Sequence, residues 1–152
     1  MLNRAATIIT LIAFVHCSQV WAGLGGPPGG VEVDGQPLVG TTKILPASNY
    51  TVHELNSADL VVKEYVSSNG TVFAVSWVGR RVPGLAALLG RYFDEYSESA
   101  PQGSAEHPRL RGAKKQETAH LVVETGGHMG AIWGKAYVPD LFPPGITSGI
   151  VQ

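Results

Sequence analysis

The chain has 152 residues, with 11 Lys and Arg against 12 Asp and Glu, a formal charge of −1 and one cysteine. So small a net charge excludes a field able to draw in nucleic acid or an anionic membrane. A single cysteine excludes an internal disulfide framework, so a hydrophobic core must hold the fold without cross-links.

Residues 1–22 read as an export signal: a short head ending in Arg4, an uncharged run from Ala5 to Val15, and the small residues Val20 and Ala22 at the cleavage positions. The expected cut falls between Ala22 and Gly23. The apolar run is too short to span a bilayer, and no later segment is long enough. Cys17 leaves with the leader, and the "FVH" before it is not the small-residue context of lipid attachment. The mature protein is therefore expected to be exported, periplasmic or secreted, without a membrane span.

Residues 23–48 are dense in glycine and proline and have no lasting apolar period. They read as a flexible arm that contributes a short edge strand near residues 41–45. The Gly23, Gly25, Gly26 pattern is not a dinucleotide loop, because no strand precedes it.

Three strand-like runs follow, "NYTVHELN", "LVVKEYVS" and "TVFAVSWV". Asn69-Gly70 joins the last two and predicts a two-residue hairpin turn. With Ser68 opposite Thr71, Val66 pairs with Phe73, Glu64 with Val75 and Val62 with Trp77, all on one core face. Glu64 is the single acid on that face. The other face carries Val61, Lys63, Tyr65, Val72, Ala74 and Ser76.

In "VPGLAALLGRYFDEYSES", Leu85, Leu88, Leu89, Tyr92, Phe93 and Tyr96 form one continuous helical stripe, with Pro83 at the first helical position. Asp94 and Glu98 on the opposite side read as a solvated face. Residues 99–116 lose all period and gather Arg109, Arg111, Lys114 and Lys115, which reads as a mobile loop. A second hairpin then runs through "ETAHLVVET" and "HMGAIWGKAYV", with Gly126-Gly127 as its turn. In that register His120 opposes Trp133, and His120 and His128 point to opposite faces. The prolines of residues 143–152 keep this tail from extending the ladder.

The expected fold is α+β: an antiparallel sheet of about five strands in the order β-β-β-α-β-β, one amphipathic helix on one face, and a single domain at 49–142. The stretches "AGLGG", "KEYVSSNGTVFAVSW", "PGLAALLGRYFDEY" and "GGHMGAIWGKAYVPDLFPPG" resemble the DUF2844 family of exported proteobacterial proteins of unknown function. The resemblance implies a bacterial exported protein of that fold and no particular activity. Gly84 departs from the pattern, which places an acidic residue just inside the helix.

Candidate chemistry rests on few side chains. Zinc needs three or four converging ligands, and with His120 and His128 on opposite faces no metal or other cofactor is expected. Glu64, among apolar neighbours, reads as a structurally paired or edge-exposed acid, with a functional acid that holds its proton to higher pH as the alternative. Trp133, Met129 and His120 share one face of the second hairpin and read as a binding strip. The leading reading is a non-enzymatic binding or envelope-accessory protein with an envelope protein as partner. The alternatives are a small extracytoplasmic hydrolase using Glu64 or His128, and a structural surface protein.

Overall fold

The computed structural model describes residues 23–33, 35–99 and 113–152. The expected leader at 1–22, and the stretch holding Arg109 and Arg111, lie outside them. The first two strands, β1 (Glu32–Val33) and β2 (Gln36–Pro37), pair in a small ribbon. Four more precede the helical segment: β3 (Thr41–Pro46), β4 (Tyr50–Asn56), β5 (Leu60–Ser67) and β6 (Val72–Gly79). After it come β7 (Lys114–Glu117), β8 (Val122–His128) and β9 (Ala131–Tyr137). Seven of these strands form one antiparallel sheet in the order β3-β4-β5-β6-β9-β8-β7.

The α+β class holds, but the expected five strands become nine in two sheets among the described residues. β1, β2 and β7 are too short to carry a readable period. β7 also occupies part of the stretch read as a loop. β3, expected at residues 41–45, is an edge strand exposed along most of its length, so it lacks apolar alternation.

The hairpin between β5 and β6 differs from expectation at its turn. Gly70 N–H donates to the Ser67 carbonyl and Ser67 N–H to the Thr71 carbonyl, both at 2.9 Å, so Ser68, Asn69 and Gly70 make a three-residue loop. Asn69 Oδ1 accepts from the Thr71 N–H at 3.2 Å, which fastens the longer loop. The extra residue shifts pairing by one, and a bulge at Phe73 shifts it back. Glu64–Val75 and Val62–Trp77 therefore pair as expected, while Val66 pairs with Val72. Val72 joins the inner face with Val62 and Val75, and Phe73 packs instead among Tyr50, Tyr65 and Phe142.

The second hairpin is displaced further. Its turn is Met129-Gly130, with His128 opposite Ala131, Gly126 opposite Trp133 and Gly134 opposite Thr125. Gly126 and Gly127 are used inside β8. A Cβ on Gly126 would stand 2.6 Å from the Trp133 ring, and one on Gly127 2.2 Å from the Ala131 carbonyl oxygen. A glycine pair thus marks close approach in a strand here, not a turn. Gly134 makes room for the Trp77 indole, which would lie 2.2 Å from a Cβ there.

The helical stripe covers the inner face as expected, with Leu85, Leu88, Leu89 and Tyr96 buried and Tyr92 and Phe93 packed against the same cluster. Each buried side chain contributes about 1.5 to 3 kcal/mol. The helix itself is interrupted: α1 (Leu85–Leu89) gives way to a 3-10 turn (Gly90–Tyr92) and then α2 (Phe93–Ser99). Gly90 stands at φ 53 and ψ −127, a conformation outside the helix. Gly84, not Pro83, precedes the first helical residue, and it has no capping side chain.

The segment read as a flexible arm is docked on the molecule. Leu24 N–H donates to the Leu88 carbonyl, Gly25 N–H to Val72, Val72 N–H to Gly26, and Gly84 N–H to Glu32. Leu24, Val31 and Val33 are buried in the main core with the helix. On the outer face the tail turns through two 3-10 segments, Pro139–Leu141 and Ser148–Ile150, without extending the sheet. Phe142, Ile146, Ile150 and Val151 pack there on Tyr65, Phe73 and Tyr137.

Candidate functional site

Register places one residue from each of the seven strands in a row across the outer face: Lys43, Glu54, Lys63, Ser76, Lys135, Glu124 and Lys115. Opposed residues of antiparallel neighbours share a face, so the charges alternate except where Ser76 stands between Lys63 and Lys135. Lys135 pairs with Glu124 at 3.3 Å. Ser76 is buried and donates to the Gln152 main-chain oxygen at 2.7 Å. Tyr65 holds the same residue, donating to Gln152 O and accepting from Gln152 N–H, both at 3.0 Å. The hydroxyl of Ser76 is thus spent on fastening the tail.

One row further along the same face, Val61, Val78, Trp133 and Gly126 oppose each other. Trp133 lies over Gly126, which has no side chain to compete for the space. Val78 is 55% exposed and Trp133 39%. Together with Lys63, Lys135 and the end of the tail they line a hollow of about 410 Å³.

The inner face carries the second polar feature. Glu64 is 5% exposed, and its carboxylate accepts the Gly29 N–H of the arm through both oxygens, at 2.9 and 3.2 Å. Burial pushes its pKa up to about 7, against the lowering effect of the Gly29 hydrogen bond. His53 opposes Glu64 across the β4–β5 pair. Both line a cavity of about 510 Å³ between the sheet and the arm.

The remaining expected site residues are dispersed. His120 lies before β8 and is tied to Glu95 of α2, through its main-chain N–H at 3.0 Å and its ring Nδ1 at 3.3 Å. The Glu95 carboxyl is held below the usual range by a hydrogen bond from the Thr118 side chain and by the His120 N–H. Trp133 faces Gly126, and His120 lies before β8 begins at Val122, so at least four strand positions, or about 13 Å, separate the two. Met129 sits exposed in the turn. The expected strip of Trp133, Met129 and His120 is therefore not assembled, because the turn lies three residues later than Gly126-Gly127.

His128 is exposed at the end of β8, its Nδ1 3.1 Å from the Met129 carbonyl oxygen. The Glu64 row crosses β8 at Val123, five residues or about 16 Å from His128, so the two candidate catalytic residues belong to different places. Among the described residues no three His, Cys, Asp or Glu side chains are grouped to hold a metal, and no helix is long and apolar enough to cross a membrane.

Sequence reasoning missed Gly29, His53, Lys63 and Val78. The pairing of His53 with Glu64 depends on the turn at Ala58-Asp59, closed by Ser57 N–H on the Leu60 carbonyl. That dipeptide carries no turn signal comparable to Asn-Gly.

These features define an α+β protein whose antiparallel sheet is covered by a helical segment and an arm on one face and by an extended tail on the other. Residues 20–150 match the family described as a protein of unknown function, DUF2844, and the chain belongs to that family. No curated protein and no solved structure matches it.

Proposed function

We propose that the chain is exported after loss of residues 1–22 and works as a non-enzymatic binding protein whose outer-face hollow takes a small amphiphilic anion. The observation that supports this reading is the row of Val61, Val78 and Trp133, apolar and open beside Lys63. The tail covers the neighbouring part of that face, and Val78 and Trp133 stay exposed among the described residues. Among the described residues no carboxylate lies within ion-pair distance of Lys63, whereas Lys135 already has Glu124. A hollow of about 410 Å³ is on the scale of a small-molecule site. A protein interface would need about 800 Å² of surface from each partner.

Octanoate, with octanol as the neutral control, tests the reading by calorimetry on the purified protein. Octanoate is expected to bind saturably and more tightly than octanol. Trp133→Ala should weaken it at least tenfold, about 1.4 kcal/mol, and Lys63→Gln should erase the preference for the anion. Octanoate binding that Trp133→Ala leaves intact refutes the proposal.

A further inference from the structure

We propose that the cavity beneath the arm is a second binding site, one that takes a small alkylamine with its ammonium group against Glu64. The cavity walls include Pro28, Val31, Leu38, Leu55 and Val62, and among the described residues its titratable lining groups are Glu64 and His53. The lysines next to this part of the sheet, Lys43 and Lys63, stand opposite Glu54 in the register of the outer-face row and so lie on the other side of the sheet. Among the described residues the chain therefore buries a carboxyl group and sets no lysine or arginine in the lining around it.

A buried carboxylate needs compensating partners, and one N–H shared between its two oxygens leaves further acceptor positions open. The chemistry of the occupant follows by elimination. An anion would be repelled by the carboxylate. A neutral apolar molecule would leave its open acceptors unmatched. A metal ion needs three or four ligands, and the lining offers two. An ammonium group supplies charge and donors together, and apolar walls favour an alkyl body over a hydrated inorganic cation.

The cavity volume of about 510 Å³ suits a molecule of that size. Its roof is main chain at the critical point: Gly29 and Gly30 stand at φ 121 and 76, so the arm presents an N–H to Glu64 with no side chain on the residue that donates it.

The test is calorimetric titration of the purified protein at pH 8 with n-pentylamine and, in parallel, n-pentanol. The amine is expected to bind with one-to-one stoichiometry at least tenfold more tightly than the alcohol, and to shift the His53 ring resonances. Glu64→Gln should abolish the difference between amine and alcohol, while octanoate binding at Trp133 continues. Equal affinity for amine and alcohol in the wild type, or no saturable amine binding, overturns the proposal without any variant. A preference for amine that survives Glu64→Gln also overturns it. Trp133→Ala should leave amine binding unchanged, which separates this site from the outer hollow.

Discussion

Burial raises the Glu64 carboxyl from 4.5 to about 7, so between those values the folded chain keeps a proton that the unfolded chain has released. Stability from this group is present below pH 4.5 and is lost as pH rises through 7. The size of the shift corresponds to about 3 kcal/mol. We expect urea unfolding of the wild type, measured from pH 4.5 to 8 against Glu64→Gln, to lose about that much relative to the variant. Parallel curves for the two proteins would mean that Glu64 titrates as an exposed acid. Part of this site was legible in the sequence. Asn69-Gly70 placed Glu64 among Val62, Val75 and Trp77, and the pairing survived because the longer loop and the Phe73 bulge offset each other. Gly29 was not legible, since a residue 35 positions away in a segment without period announces no contact.

At the scale of elements, the helical segment shows where a periodic pattern misleads. The stripe from Leu85 to Tyr96 is continuous, yet the backbone breaks at Gly90, whose φ of 53 is strained for any residue with a side chain. Straight-helix propensity predicts that Gly90→Ala stabilises the protein by about 1 kcal/mol. The observed backbone predicts the opposite sign, a loss of about 1 to 3 kcal/mol, readable as a lower urea midpoint. The arm meets the segment at this point: Leu88 accepts the Leu24 N–H at 2.9 Å, and Arg91 reaches the Gly25 carbonyl. The second hairpin teaches the same lesson, because glycines can serve close packing as well as turns. Gly126 and Gly127 were spent on Trp133 and the Ala131 carbonyl, and the turn moved to Met129-Gly130.

The whole molecule depends on both terminal parts of the described chain. The arm completes the inner core through Leu24, Val31 and Val33, and the tail completes the outer cluster through Ile146, Ile150 and Val151. Removing residues 146–152 should lower unfolding stability by at least about 2 kcal/mol through lost apolar burial, beyond the bonds that Tyr65 and Ser76 make to Gln152. An unchanged urea midpoint after truncation would show that the outer cluster does not need the tail. By itself the sequence determined the strands of the two hairpins, the apolar stripe of the helix, the sheet face that carries Glu64 and the family. Those features follow from periods of 2 and 3.6 residues, and from side chains close together along the chain. Only the tertiary structure decided where the arm and tail dock, which glycines turn and which receive an indole, and that Trp133 stands with Val78 and Lys63 rather than with His120. Each of these is settled by where distant main-chain groups find hydrogen-bond partners and distant rings find space, and local pattern carries no record of either.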